Sequence, residues 1–312
     1  MNSISYVGSG PYCYANSFAM ILGKEAPSTA VIEFATSSPF GLQLINEKLV
    51  FFDPFGWTPI ECFDAFLQVA GWKSTLLIGK DASAAISLLR AELKKGKPVF
   101  VGPVEMGYLK YQPGSNGPMG ADHYVVVLGI EGDRVELHDP QGFPYATLPV
   151  SDFMQSWKTD TLGYGKSYMM RTNFQRFEHV SEEEIIHRSI ANAQKWLSMQ
   201  ASSTNDDNMF LGALGNGAAA ESLANLIEKN LTPDLHGHLI HFAVRVGARR
   251  LNDAATCLSR VGYDEAAKIM EEQARLVGSL QYHLVIKDTA TAASALRKLA
   301  PTYELLQKAL KK

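Results

Sequence analysis

The sequence predicts an α+β fold in which a mixed N-terminal region is followed by an all-α region. Up to about residue 173, β-branched runs alternate with short helical patterns and with Gly and Pro residues. After residue 178 the strand patterns largely vanish, and apolar residues recur at helical spacing. The change of pattern places the boundary at residues 174–180. We therefore predict one domain over residues 1–175 and an α-helical domain over residues 180–312.

The first predicted helix carries a cysteine in its first turn. The segment Ser9–Pro11 is typical of a helix start, and Phe18, Ile21 and Leu22 then fall at helical spacing. In the first turn, the helix dipole and the backbone N–H groups favour a thiolate, and an N–H group there can help to bind an oxyanion. These properties make Cys13 the candidate nucleophile.

A β-hairpin is predicted between residues 122 and 142. The run Tyr124–Ile130 is rich in β-branched residues, the run Arg134–Asp139 alternates, and Gly132 with Asp133 supplies the turn between them. The same antiparallel sheet is predicted to include Val99–Val104 and to be packed against the helix of the candidate nucleophile.

The hairpin brings a histidine and an aspartate together. A tight turn puts Val125 opposite Asp139, so His123 and Asp139 become diagonal neighbours on one face, about 7–8 Å apart between backbones. A carboxylate in that position accepts the proton of one imidazole nitrogen and directs the other nitrogen at a nucleophile. We therefore predict a catalytic triad of Cys13, His123 and Asp139.

Plainer interpretations exist for the polar residues of this hairpin. His123 could be a strand-start histidine that is satisfied by local hydrogen bonds, and its position alone does not decide between the two roles. Asp122 and His138 point to the opposite face of a regular strand. A solvated or capping role is favoured for Asp122, and a structural role for His138.

A loop rich in Gly and Pro, residues 107–121, leads directly into His123. Loops in such positions commonly shape a substrate cleft. We expect this loop to line the cleft and to move when substrate binds.

Helical patterns fill the C-terminal region. Ser181, with Glu184 three residues later, has the form of a capping box at the start of the first of these helices. We predict further helices at about Gly217–Lys229, Pro233–Val261, Asp264–Val285 and Ala290–Leu310.

Three motifs in this region have a sharper and a plainer interpretation. The segment His236–His241 spaces histidines on a helix, but no H-E-x-x-H pattern, cysteine pair or nearby acidic ligand accompanies it, so we expect no metal site. The basic segment Arg245–Arg250 is interpreted as a solvated helix face, with a docking surface for an acidic carrier protein as the alternative. The glycine-rich segment 212–222 has no strand pattern before it and no lysine at Walker spacing, and it favours close helix packing or a hinge.

The composition is that of an ordinary globular protein. With 46% hydrophobic residues, 20% charged residues and a formal charge of −3, the chain has no pattern for binding nucleic acid. No stretch approaches the length of a membrane span, and the N-terminus lacks a signal-peptide pattern, so we expect a cytoplasmic protein without a membrane partner. The three cysteines are too few and too scattered for a disulfide framework. Cys62 and Cys257 lie in helical apolar patterns and are predicted to be buried. No cofactor is expected.

At these residues the chain resembles the papain-like cysteine enzymes. The matching features are the helix opened by Cys13, the H-Y-V-V-V-L-G strand from His123 and the D-P-x-G turn from Asp139. Within that fold the chain is most similar to the butirosin biosynthesis protein H family, which is related in appearance to the leader peptidases of bacteriocin exporters. The similarity extends to Phe40–Phe52, to Gly96–Tyr111 and to a helical C-terminal region, so it covers nearly the whole chain.

The resemblance implies a papain-like N-terminal domain with acyltransferase activity. Such an enzyme takes an acyl group from a carrier-protein thioester onto its cysteine and delivers the group to an amine, in the biosynthesis of antibiotics and other secondary metabolites. Carried over, Cys13 is the nucleophile, His123 the base and Asp139 the orienting residue.

One departure from the papain-like pattern concerns the oxyanion. Papain-like proteases usually carry a Gln about half a dozen residues before the cysteine as an oxyanion donor. Here Val7 occupies that stretch, and no Gln precedes Cys13. The role is left unassigned, and the polar side chains that stand in this stretch are Asn2, Ser3, Ser5, Tyr6 and Ser9.

Two other functions stay open. A cysteine peptidase or amide hydrolase uses the same triad with water as the acceptor. A non-catalytic binding module that has kept the fold is the third interpretation. The expected partners are an acyl carrier protein or another thioester donor and a small amine acceptor. The helical domain is expected to cover the cleft, to help recognise the carrier or acceptor, and to provide a homodimer contact.

Overall fold

The computed structural model describes residues 12–199 and 212–311. The described chain has an α+β fold, as predicted, and it divides into two compact units. The sheet unit comprises residues 12–29 and 71–179, and the helical unit comprises residues 30–70, 180–199 and 212–311.

The units do not follow the linear division of residues 1–175 and 180–312. The end of the sheet unit at His179 lies at the predicted boundary, but residues 30–70 group with the C-terminal helices. A short strand at Gln43–Ile45 pairs with Leu214–Gly215, and Arg250 binds carboxylates of residues 33 and 53. These contacts join positions far apart in the chain, which a linear pattern does not reveal.

A six-stranded antiparallel sheet forms the sheet unit. Val99–Glu105, Asp122–Glu131 and Arg134–Asp139 confirm the three predicted strands. In spatial order the strands are β3 (Trp72–Ile78), β8 (Met169–Arg176), β4 (Val99–Glu105), β5 (Asp122–Glu131), β6 (Arg134–Asp139) and β7 (Phe143–Pro149).

Helix α1, Cys13–Leu22, packs on one face of this sheet. The ring of Phe18 stacks on Phe100 of β4 with centroids 4.5 Å apart, and Ser17 Oγ donates to the backbone carbonyl of Tyr124 in β5 at 3.1 Å. The prediction that the cysteine-bearing helix packs on an antiparallel sheet is therefore confirmed.

The opposite face of the sheet holds the main core of the unit. Side chains alternate along a strand, so Val99 and Val101 in β4 and Val125 and Val127 in β5 point away from α1. They pack against α4 (Ala82–Leu93) and α5 (Val150–Trp157) in a buried cluster that contains Ala85, Leu89, Val99, Val101, Val125, Val127, Phe153 and Trp157.

The hairpin between β5 and β6 contains one extra residue. Next to the Gly132–Asp133 turn, Glu131 pairs with Arg134 and Gly129 with Glu136, but further on Val127 pairs with Leu137. Leu128 is thus the extra residue of a β-bulge, which shifts the register by one position.

Helices dominate the helical unit, which also holds a small antiparallel sheet in the order β2 (Leu49–Phe51), β1 (Gln43–Ile45) and β9 (Leu214–Gly215). The predicted N-cap is confirmed, because Ser181 Oγ accepts the backbone N–H of Glu184 at 3.2 Å. The helices are α2 (Thr29–Ala35), α3 (Pro59–Val69), α6 (Glu182–Ser198), α7 (Asn216–Asn230), α8 (Pro233–His238), α9 (Val244–Arg260), α10 (Asp264–Val285), α11 (Thr289–Leu299) and α12 (Thr302–Ala309).

Two predicted helices are interrupted. The segment predicted at Pro233–Val261 contains a π-helical turn at Leu239–Ala243 between α8 and α9. The helical stretch predicted at Ala290–Leu310 is divided into α11 and α12, because Pro301 has no N–H to continue the hydrogen-bond ladder, although Ala300 and Pro301 keep right-handed helical backbone angles.

Candidate active site

His123 and Asp139 form a buried pair in the sheet unit. His123 Nε2 lies 2.8 Å from Asp139 Oδ1, and the two residues are 1% and 3% exposed. The pair lies at the start of β5 and the end of β6, where the sequence predicted it.

The bulge at Leu128 puts the two side chains on one face. Regular pairing from the two-residue turn would place Val126 opposite Asp139 and would direct His123 to the other face of the sheet. With the extra residue, Val126 pairs with His138, so Val125 comes opposite Asp139. His123, two residues before Val125, then points to the same face as the carboxylate.

Four donors hold the Asp139 carboxylate. Oδ1 accepts from His123 Nε2 and from the backbone N–H of Gln141, both at 2.8 Å. Oδ2 accepts from the hydroxyl of Tyr111 at 2.9 Å and from Nε2 of Gln112 at 2.6 Å. The carboxylate orientation is therefore fixed from both sides.

The electrostatics of this group favour the ionised carboxylate. Burial alone raises the pKa of Asp139, but the hydrogen bond and charge of His123, with the donors at Gln141 and Tyr111, outweigh burial and hold the pKa below its ordinary value. Burial and the neighbouring Asp139 charge raise the pKa of Tyr111, which keeps its hydroxyl protonated as a donor.

An ionised carboxylate fixes the proton arrangement on the imidazole. Because the Asp139 carboxylate has only acceptors, His123 must donate through Nε2. In the neutral ring the other nitrogen, Nδ1, then carries a lone pair. Nδ1 is therefore the atom of His123 that can act as a base.

Tyr111 and Gln112 were not identified from the sequence. Both lie in the loop of residues 107–121, here called the site loop, which was expected to line a cleft. The available signal was a pair of hydrogen-bonding side chains in a loop that leads into His123. Their hydrogen bonds to Asp139 favour a fixed loop, and movement on substrate binding stays a prediction.

Cys13 lies in the first turn of α1, as predicted, and is its first residue, with Tyr12 as the N-cap. It is half-buried, and it lies in the sheet unit with the histidine and the aspartate. The ring of Tyr14, the next residue of α1, contacts the ring of Tyr124 edge-on, with centroids 6.2 Å apart, and Tyr124 follows His123 in β5. The structure thus joins His123 to Asp139 directly and places Cys13 at the start of α1, which packs against Tyr124 on the same strand.

The other two cysteines are buried in helices, as predicted. Cys62 in α3 and Cys257 in α9 are each 1% exposed. Burial raises the pKa of Cys62 far above its ordinary range and the pKa of Cys257 to about 12. Neither thiol is suited to act as a nucleophile near neutral pH.

The neighbouring polar residues of the hairpin have local partners. Asp122 Oδ2 accepts the hydroxyl of Tyr164 at 2.5 Å, and His138 Nδ1 accepts the backbone N–H of Tyr145 at 3.0 Å. The structural interpretation of His138 is consistent with that bond. Asp122 is half-buried, so its predicted solvated role is only partly met.

The oxyanion side chain stays unassigned. The polar side chains at positions 2, 3, 5, 6 and 9 lie outside the described residues, as does Ser9–Pro11 at the predicted helix start.

Two arginines in the basic segment of α9, Arg249 and Arg250, do not lie on a solvated face. Arg250 is 7% exposed; its Nε binds Glu33 at 3.0 Å and its Nη1 binds Asp53 at 3.2 Å. Arg249 forms an ion pair with Asp253 at 3.5 Å. The interpretation of Arg245–Arg250 as a solvated face or a docking surface is therefore wrong for Arg249 and Arg250, because both are used inside the helical unit.

Histidines and glycines of the helical unit have structural contacts. The Nε2 atoms of His236 and His238 bind the backbone carbonyls of Leu284 and Val50 at 2.9 and 2.7 Å. Within residues 12–199 and 212–311, no group of His, Cys, Asp and Glu side chains has the arrangement of a metal site. A Cβ on Gly217 would lie 2.9 Å from a backbone oxygen, which confirms the close packing predicted for the glycine-rich segment.

Two comparisons with known proteins relate this chain to YobF. Residues 211–311 match the family model of the YobF C-terminal domain. Over 299 residues the chain is 26% identical to the uncharacterized protein YobF of Bacillus subtilis (strain 168), and the match covers 95% of this chain and 94% of that protein. The similarity therefore runs through both units, and neither match names an activity.

Among the helices of the described residues, none has the length and apolar character needed to cross a bilayer.

Proposed function

We propose that the protein is a cysteine acyltransferase that moves an acyl group from a thioester to an amine. The observation that carries the proposal is the buried 2.8 Å hydrogen bond between His123 and Asp139, which presents Nδ1 as a base. The position of Cys13 at the start of α1 and the resemblance to papain-like enzymes support it. The contact that the proposal requires is one between Cys13 Sγ and His123 Nδ1.

The reaction has two half-reactions. His123 Nδ1 takes the thiol proton, and the Cys13 sulfur attacks the thioester carbonyl; the bond from carbonyl carbon to donor sulfur breaks, and the donor thiol leaves with the proton. An amine then attacks the acyl-cysteine, His123 takes the amine proton, and Cys13 leaves as a thiol after accepting that proton. The products are an amide, a free thiol and the regenerated enzyme.

A thioester donor suits this site. A thiol leaves more easily than an amide nitrogen, so cleavage of a thioester demands less from an oxyanion donor. The absence of a Gln before Cys13 is consistent with that lower demand. From the family resemblance, we propose a carrier-bound acyl donor and a small amine acceptor, in secondary-metabolite biosynthesis in the cytoplasm.

The proposal is tested by intact-protein mass spectrometry with a panel of acyl thioesters. We expect an acyl adduct on the native chain that maps to Cys13, is absent from Cys13→Ala, and forms much more slowly on His123→Ala. His179→Ala is the matched control, because this exposed histidine of the same unit should leave acylation unchanged.

The second half-reaction separates transferase from hydrolase. Discharge of the adduct by amines faster than by water supports the transferase, whereas discharge by water alone supports the hydrolase alternative. The absence of an adduct from every donor, with Cys13 no more reactive than free cysteine, would favour the binding-module interpretation.

A further inference from the structure

Glu105, at the end of β4, has a fully buried carboxylate that is held by four neutral donors. The residue is 0% exposed. Oε1 accepts the backbone N–H groups of Gly107 and Met119, both at 3.1 Å. Oε2 accepts the backbone N–H of Gly120 at 3.0 Å and the hydroxyl of Thr161 at 2.7 Å.

These hydrogen bonds join the two ends of the site loop, which together are here called its neck. Gly107 begins the loop, and Met119 and Gly120 lie at its end, so one carboxylate joins the two ends. The neck is also tightly packed, because the backbone N–H of Gly117 donates to the carbonyl of Gly107 at 3.1 Å. A Cβ on Gly107 would lie 1.9 Å from the carbonyl oxygen of Gly117, so glycine is required there.

The closed loop carries two of the donors that hold the candidate triad. Tyr111 and Gln112, between the two ends of the loop, donate to Asp139 Oδ2. Glu105 is thus connected to His123: it binds the ends of the site loop, the loop binds Asp139 through Tyr111 and Gln112, and Asp139 binds His123.

We propose that Glu105 is a positioning residue for the proposed reaction: it fixes the site loop so that Tyr111 and Gln112 hold Asp139 against His123. The inference rests on the proposed function for its chemistry, but its geometry lies wholly within the sheet unit. The charge has a specific use, since a carboxylate accepts on both oxygens and an amide accepts on one.

The test replaces Glu105 with its closest neutral isostere. Glu105→Gln keeps the shape of the side chain but leaves two of its four donors facing an amide NH₂ group. Glu136→Gln is the matched control, because Glu136 is an exposed strand glutamate in β6 of the same sheet. The full chain is used for both variants, with folding checked by circular dichroism.

The first readout is the pH profile of Cys13 alkylation by iodoacetamide, mapped by peptide mass. When Asp139 is held less firmly, His123 stabilises the Cys13 thiolate less, so the thiolate forms at a higher pH. We expect the inflection of the profile to move up by about one pH unit in Glu105→Gln, a roughly tenfold loss of rate below the inflection. Glu136→Gln should keep the native profile. A purely structural role for Glu105 would lower stability without moving this inflection.

The second readout does not involve Cys13. The Nε2–H proton of His123, observed by NMR, should exchange with water on the order of tenfold faster in Glu105→Gln, because the bond to Asp139 opens more often. If native Cys13 has the same alkylation profile as His123→Ala, the proposed function fails, while the exchange rate still decides the role of Glu105.

The proposal for Glu105 is overturned if the folded variant keeps both the native profile and the native exchange rate. If Glu105→Gln does not fold, Thr161→Val takes its place, since it removes one donor to Oε2 and leaves the three backbone bonds. A smaller shift of both readouts in the same direction is then expected, and native behaviour of that variant overturns the proposal equally.

Discussion

Replacing Asp139 with asparagine removes the charge of the pair and keeps the shape of the side chain. The new amide can direct its oxygen to the Oδ1 position, since the backbone N–H of Gln141 is a fixed donor. On the other side, the hydroxyl of Tyr111 and the amide of Gln112 can each turn to accept a hydrogen bond. The bond to His123 then survives as a neutral one.

The magnitude follows from the four hydrogen bonds of the native carboxylate. A bond to a charged group contributes about 1 kcal/mol more than a neutral one, so Asp139→Asn should lower the free energy of unfolding by roughly 2–4 kcal/mol. A protonated His123 also loses its counter-charge, which is on the order of 4 kcal/mol for charges about 4 Å apart at an effective dielectric constant of ~20. That energy corresponds to a roughly thousandfold slower acylation of Cys13.

The assay combines urea unfolding with the rate of acyl-adduct formation measured by mass spectrometry. Asp133→Asn, which changes an exposed aspartate in the turn of the same hairpin, is the matched control and should leave both quantities near native values. If folded Asp139→Asn acylates Cys13 within about threefold of the native rate, the reasoning that the carboxylate supports the base is refuted.

Three further predictions concern pH and packing. Because the folded chain holds the pKa of Asp139 below its ordinary 3.8, the stabilisation is complete at pH values above 3.8 and is lost as the pH falls through the lower folded value. Urea titrations between pH 6 and 3 should show this loss in the native chain and a flatter dependence in Asp139→Asn; equal slopes would contradict it. Arg250→Met leaves its two buried carboxylate partners without that counter-charge and should cost about 3–5 kcal/mol in urea unfolding, whereas the exposed control Arg245→Met should cost little. Equal effects at Arg245 and Arg250 would argue against the buried cluster. Gly217→Ala should destabilise by about 1–3 kcal/mol, since its Cβ would meet a backbone oxygen at 2.9 Å. Gly278 lies inside α10, and a Cβ there would lie 3.8 Å from its nearest neighbour, so Gly278→Ala should stabilise the protein by up to about 1 kcal/mol. Thermal unfolding in which the two substitutions change the stability in the same direction would refute this contrast.

Local patterns were sufficient to predict the elements that carry the candidate triad. A helix with Cys13 in its first turn follows from helix-start residues and a 3.6-residue spacing, and the β5–β6 hairpin follows from β-branched runs on either side of a Gly–Asp turn. Each signal is contained in one helix or one hairpin, so neither depends on distant parts of the chain.

The features that sequence reasoning missed depend on distant contacts. The strand Met169–Arg176 lies between Trp72–Ile78 and Val99–Glu105, a position that its own pattern does not specify. Arg250 belongs to an apparently basic segment, and its buried role becomes visible only when Glu33 and Asp53 are brought to it.

The supporting residues of the site were missed for a related reason. Tyr111, Gln112 and Glu105 are ordinary loop and strand-end residues in the sequence. They acquire a role only when the site loop closes and meets the end of the hairpin. Even the register of His123 and Asp139, although predicted correctly, depends on a bulge that the turn pattern alone does not contain.

The bulge at Leu128 bears on how this hairpin tolerates changes in length. A chain without Leu128 would keep the same cross-strand partners, Gly129 with Glu136 and Val127 with Leu137, in an uninterrupted ladder. His123 would still face Asp139. Loss of another β5 residue between His123 and Gly129 could be absorbed in the same way, because removal of the bulge restores the register. The bulge is therefore what allows β5 to differ by one residue in length without separating the pair, and relatives with a one-residue-shorter His-to-Asp spacing are expected to have a straight hairpin there.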